Sequence, residues 1–147
     1  MPTTVDRTYS CVSGRWPAFL LAAALPLFLG TLLCDCAYSS SYEIQWSNFA
    51  SWLLAGGLVF AGIALACGLV DLLRAERRGG RSLAYFMLLL AVFVLGFLNS
   101  LVHARDAYAV MPTGLVLSVV VLVLAGAATW MACSNQAFAG WRAGEQP

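Results

Sequence analysis

Residues 16–34, 44–70, 82–102 and 107–141 contain no charged side chain, and each stretch is close to or longer than the roughly 20 apolar residues an α-helix needs to cross a bilayer. A soluble chain of 147 residues distributes charge through every element. Here 61% of residues are hydrophobic and 10% charged, and the charges fall between the apolar stretches. In hydrocarbon every backbone N–H and C=O must be satisfied inside the segment, so spans of this kind fold as helices. The expected fold class is all-α: an integral membrane protein with four transmembrane helices in a compact bundle.

The pattern predicts a polar tail over 1–15, a transmembrane domain over 16–135 with spans near 16–36, 49–73, 82–103 and 113–132, and a polar tail over 136–147. Arg7 and Arg15 ahead of the first apolar run resemble the start of a signal peptide. No small-residue cleavage site follows, since Asp35 occupies the −3 position for a cut after Ala37, so the run is read as a retained helix. Pro26 removes a backbone donor in mid-helix and predicts a bend. Pro112 stands just ahead of the fourth span, where helix starts favour proline.

Seven of the eight arginines lie in the two tails and the 74–81 loop, and only Arg105 lies in the other two connections. The positive-inside rule then places both termini in the cytoplasm and 37–48 and 104–112 outside. A net charge of +1 without a long basic run argues against a nucleic-acid partner. The expected partners are membrane lipid and either a second copy of the chain or another membrane protein. The expected location is the bacterial inner membrane.

Small residues recur at helical spacing. Ala50, Gly57, Ala61, Ala64 and Gly68 share one face of the second span, and Gly114, Ser118, Ala125, Ala128 and Ala132 share one face of the fourth. Gly96 lies beside Asn99 on the third. Lipid supplies no hydrophobic drive between helices, so close approach through such stripes is the usual way to pack them.

Candidate chemistry concentrates at the predicted outer rim. Asn99, His103 and Asp106 follow one another at spacings of four and three, and so share a helical face. His103 is the only histidine. It is a candidate ligand for haem b with Asp106 orienting the ring, or an interfacial polar residue bonded to its neighbours. A second axial ligand would have to come from a methionine or a second copy. Asp35 and Glu43 complete the candidate polar cluster, with Tyr42, Gln45, Trp46 and Asn48 nearby. An acid within lipid costs about 2.5–3.5 kcal/mol on insertion scales, so Asp35 and Asp71 are suspects by position. Both fall near helix ends, and Asp71 lies one turn from Arg74, which suggests an interfacial ion pair. Cys34 and Cys36 are two residues apart and therefore point to different helical faces, which favours a structural pair over a redox pair. No catalytic residue and no metal site is read from the chain, and no enzymatic activity is expected.

The segments 33–52 (LCDCAYSSSYEIQWSNFASW) and 96–118 (GFLNSLVHARDAYAVMPTGLVLS) resemble the bacterial predicted-membrane-protein family known as domain of unknown function 2231. The resemblance extends over about 16–130. It implies a small four-helix inner-membrane protein without an established activity. Many members have histidines near the start of the first helix, and relatives have been suspected of haem association; this chain has Trp16-Pro17 there and no histidine. The expected function is a non-enzymatic membrane protein whose polar rim receives a partner or small ligand. The alternatives are haem-b electron transfer through His103 and a small transporter.

Overall fold

Within a bilayer, the cheapest way to satisfy a long apolar backbone is the i to i−4 ladder, and the chain takes it four times. The computed structural model describes residues 16–73, 80–105 and 110–144. Its helices are α1 (Trp16–Ser41), α2 (Ile44–Leu73), α3 (Gly80–His103) and α4 (Thr113–Gly144). With 26, 30, 24 and 32 residues, they exceed the roughly 30 Å hydrocarbon thickness at 1.5 Å per residue. All four are apolar enough to span a membrane. Each packs on the next in chain order and α4 closes back on α1, so α1 and α3 face each other across the diagonal of the bundle.

The helices run past the bounds the sequence suggested. The connection expected over 37–48 is helical except at Tyr42 and Glu43. Ser39, Ser40 and Ser41 donate their hydroxyls to carbonyls three or four residues back, which keeps α1 helical through a serine run. α1 then stops at Tyr42, which adopts the left-handed φ of 55° and donates its N–H to the Tyr38 carbonyl at 2.8 Å. The expected polar tail after residue 135 continues α4 as helix to Gly144.

Large apolar side chains such as Phe19, Leu33, Trp52, Val59, Phe97 and Val123 point outward, as lipid-facing residues do. The small-residue stripes point inward. Ala50, Gly57, Ala61, Ala64 and Gly68 are buried on α2, Gly96 on α3, and Gly114, Ser118, Ala125, Ala128 and Ala132 on α4. The core is layered. Ala24, Phe28, Leu54, Ala61, Val92, Val121 and Ala125 form one apolar layer. Leu21, Ala64, Leu89 and Ala128 form a second, farther from the end where α1 and α3 terminate.

The stripe is functional packing, because glycine is needed at its contacts. A Cβ at Gly57 would lie 2.5 Å from Phe28 Cε1, so the α1 phenyl ring rests on bare α2 backbone. A Cβ at Gly126 would meet nothing within 4 Å. Gly57→Ala should therefore destabilise the bundle by about 1–3 kcal/mol through overpacking. Gly126→Ala should be neutral or stabilise by up to about 1 kcal/mol through helix propensity. Unfolding of both variants in detergent measures the difference, and equal midpoints would show that Phe28 does not rest on the α2 backbone.

Candidate functional site

α1 turns a single stripe inward at the end of the bundle where it terminates: Phe28, Thr31, Asp35 and Tyr38 are all buried. Thr31 returns its hydroxyl to the Leu27 carbonyl at 2.9 Å, which leaves Asp35 as the one charged group of the stripe. Its exposure is 0%. The sequence placed this carboxylate at an interface reached by water or headgroups. It lies instead in the interior, because Asp35 falls on the helical face that α1 turns to the bundle axis.

The partner that makes this burial tolerable comes from the diagonal helix. His103 Nε2 lies 2.8 Å from Asp35 Oδ1. The Ser118 hydroxyl of α4 donates to Asp35 Oδ2 at 2.5 Å, and Asn99 Nδ2 donates to Ser118 Oγ at 2.9 Å. The other ring nitrogen, Nδ1, meets the Asn99 carbonyl at 3.0 Å. A carbonyl only accepts, so Nδ1 carries a hydrogen. A single further proton is then shared along the Nε2–Oδ1 contact, whichever atom holds it. Both arrangements, imidazolium with carboxylate and imidazole with carboxylic acid, are neutral overall. Neutrality of the unit limits the desolvation penalty that an isolated buried ion would carry.

Local sequence explains the assembly. Asn99 and His103 are four apart on α3, so the ring folds back onto the carbonyl of the preceding turn. Ser118 belongs to the small-residue stripe of α4, where its short side chain lets α4 approach Asp35. Gly114, one turn earlier, is needed as well, since a Cβ there would stand 2.7 Å from Val110 Cγ1 and 3.1 Å from His103 Cε1.

An open groove of about 660 Å³ runs along the first turns of α2 and is lined by Ile44, Gln45, Ser47, Asn48, Phe49, Ser51, His103 and Arg105. The His103 side chain is only 1% exposed, so the residue borders this groove while its ring stays in the network.

The candidate residues read from the sequence divide accordingly. Asn99, His103 and Asp35 come together as one network. The group that orients the ring is Asp35, rather than Asp106 as the helical spacing suggested. Glu43 stands exposed in the α1–α2 turn, outside the network. Asp106 and Arg74 lie outside the described residues, and so does the proposed Asp71–Arg74 pair; Asp71 itself is half-buried. Cys34 is buried and Cys36 exposed, both as free thiols on different faces. Spacing arguments missed Ser118, Ser47, Ser51 and Arg105. One signal for the Asp35–His103 contact was available: the one acid of the first span and the only histidine occupy the same depth at the ends of two helices running in the same direction.

A family model described as a predicted membrane protein (DUF2231) matches residues 18–140. The chain belongs to this family. Neither a curated protein nor a solved structure matches it. In this DUF2231 member, axial ligation of haem iron by His103 does not fit the residues as they stand. Nδ1 is held by a carbonyl of its own helix, and Nε2 is held by Asp35. Among the described residues no group of three or more histidine, cysteine or carboxylate side chains converges on a metal site.

Removing one member of a buried hydrogen-bonded pair strands the other, which typically costs about 3–5 kcal/mol. Asp35→Asn and His103→Ala should each destabilise strongly, and the double variant should lose less than the sum, with a coupling of about 0.5–3 kcal/mol. Ser118→Ala should couple to Asp35→Asn in the same sense. Unfolding in detergent across the mutant cycle reads these energies, and strict additivity would mean the diagonal contact is not formed.

Proposed function

We propose that the protein is a non-enzymatic, multi-pass component of the bacterial inner membrane whose groove at the His103 end receives a small polar ligand or a segment of a partner. The observation that carries this reading is that the groove lies against the buried network. The bonds of His103 to Asp35 and Asn99 fix the end of α3 that borders the groove, and preorganisation lowers the cost of binding. The groove is open and offers about 660 Å³ of space.

The alternatives have less support. Haem b on His103 would have to displace Asp35 and leave a buried carboxylate without its ring partner. A coupled transporter usually places its polar site near the bilayer midplane, and the Asp35–His103 pair is at one end of the bundle. The arginine distribution supports cytoplasmic termini with the groove on the outer face.

Two experiments test the reading. Alkaline phosphatase fused after Ser41 should be active and a fusion after Gly80 inactive; the reverse would turn the groove toward the cytoplasm. Ligand linkage raises unfolding midpoints, by about 2.7 kcal/mol at a hundred times the dissociation constant. Lipid and polar-metabolite extracts of a bacterial host should therefore include at least one that stabilises the wild type but not Ser51→Trp, whose indole fills the groove. If no extract separates the two proteins, the groove is not a binding site.

A further inference from the structure

A single proton holds the polar end of the bundle together. The Asp35 and His103 side chains are each 1% exposed. Nδ1 of the ring donates, because the Asn99 carbonyl it meets at 3.0 Å only accepts. Nε2 and Asp35 Oδ1 then keep one proton between them across 2.8 Å. On the other side of the carboxyl the donors all point one way. Asn99 Nδ2 donates to Ser118 Oγ, and the Ser118 hydroxyl donates to Asp35 Oδ2. The Oδ1 of the same amide is buried without a partner among the described residues. An orphaned acceptor is unfavourable, and here it is the counterpart of an amide turned so that its donor serves the carboxylate.

This arrangement is complete only while the shared proton stays. Without it the imidazole has one N–H for two acceptors, Asp35 Oδ1 and the Asn99 carbonyl, so one of the two contacts is lost. The unit also passes from neutral to negative inside an enclosed site, where an uncompensated charge is costly. Few other ionisable groups stand near. On α1 these are Cys34, next to Asp35, and Tyr38, one turn on; Glu43 is exposed in the α1–α2 turn, and Arg105 follows the end of α3. Asp106 lies outside the described residues. The described ionisable residues of α2 and α4 are Cys67, Asp71 and Cys133, all toward the opposite end of those helices.

We propose that the Asp35–His103 pair is a proton-operated lock on this end of the bundle. With the shared proton in place it holds α1 to α3. As pH rises the proton leaves to water, the ring gives up one contact, and the end of α3 that borders the groove is released. The lock rests on the network alone, so it holds for whatever the groove receives. Its direction follows from counting protons. In the unfolded chain a free carboxyl titrates near 3.9 and a free imidazole near 6.5, so the two together hold the equivalent of the shared proton between about those pH values. Above about 6.5 the unfolded chain has released that proton and the closed network retains it. The native state then binds more protons, and stability falls as pH rises, by up to about tenfold in the unfolding constant per pH unit. Below about 3.9 the unfolded carboxyl takes up an additional proton, and stability falls on that side as well.

His103 is the only histidine, so nitrogen-15 labelling of histidine gives the NMR signals of one ring. The test follows that ring and the unfolding midpoint of the full chain in a neutral detergent from about pH 5 to about pH 10. The wild-type ring should still hold the shared proton where a free imidazole, near 6.5, has lost it, and should then lose one proton in a single step at higher pH. The midpoint should decline from about pH 6.5 until that step. Asp35→Asn puts an amide in place of the carboxyl, and an amide N–H can bond a neutral ring with no shared proton. Its midpoint should be lower than that of the wild type but should not decline above about pH 6.5. The lock is overturned if the wild-type ring titrates as a free imidazole does, or if it keeps its proton through the whole range. It is equally overturned if the wild-type midpoint stays level above about 6.5, or if Asp35→Asn declines as steeply as the wild type. Should Asp35→Asn fail to fold, the ring titration and the wild-type midpoint decide without it.

Discussion

One hydrogen bond crosses the diagonal of the bundle. Asp35 on α1 and His103 on α3 are diagonal partners, and their 2.8 Å contact ties together two helices that pack mainly on α2 and α4. Ser118 and Asn99 extend the tie to α4 and along α3. Buried inside the bundle, such a bond has little competing water. The alternative to making it is a stranded polar group, and that asymmetry makes the bundle end specific.

Small residues allow the bond to form. Gly114 lets the start of α4 lie against the His103 ring, and Ser118 replaces the alanines found elsewhere on its stripe with the one hydroxyl the carboxylate needs. Farther from this end the same stripes have no polar duty: Gly57 receives Phe28, and Gly96 lies under Leu58. Two kinds of contact therefore hold the structure, close apolar approach over most of its length and a polar network at one end.

The same network gives the rim its character. An imidazole with both nitrogens engaged inside the protein is a poor metal ligand. The polar groups left on the described rim are those of the groove beyond it, among them Gln45, Ser47, Asn48 and Arg105. By holding Asp35 inside, the network withdraws one negative charge from that rim, while Glu43 stays exposed in the α1–α2 turn.

Charge-free runs longer than a bilayer crossing leave a chain no stable alternative to membrane helices, so the sequence alone determined four spans, and helical period alone determined that the alanine and glycine stripes of α2 and α4 face inward. Asn99 and His103 were also legible as neighbours, because four residues make one turn of a single helix. Contacts between helices have no such local rule. The partner of His103 stands 68 residues away, and the spacing argument favoured Asp106 only because it lies on the same helix. Which face of α1 carries Asp35 into the core, which serine of α4 meets it, and which residues line the groove beside it depend on the rotation and depth of each helix against the others. Those quantities are set by packing, through contacts such as Phe28 on Gly57 and His103 against Gly114, and only the tertiary structure decided them.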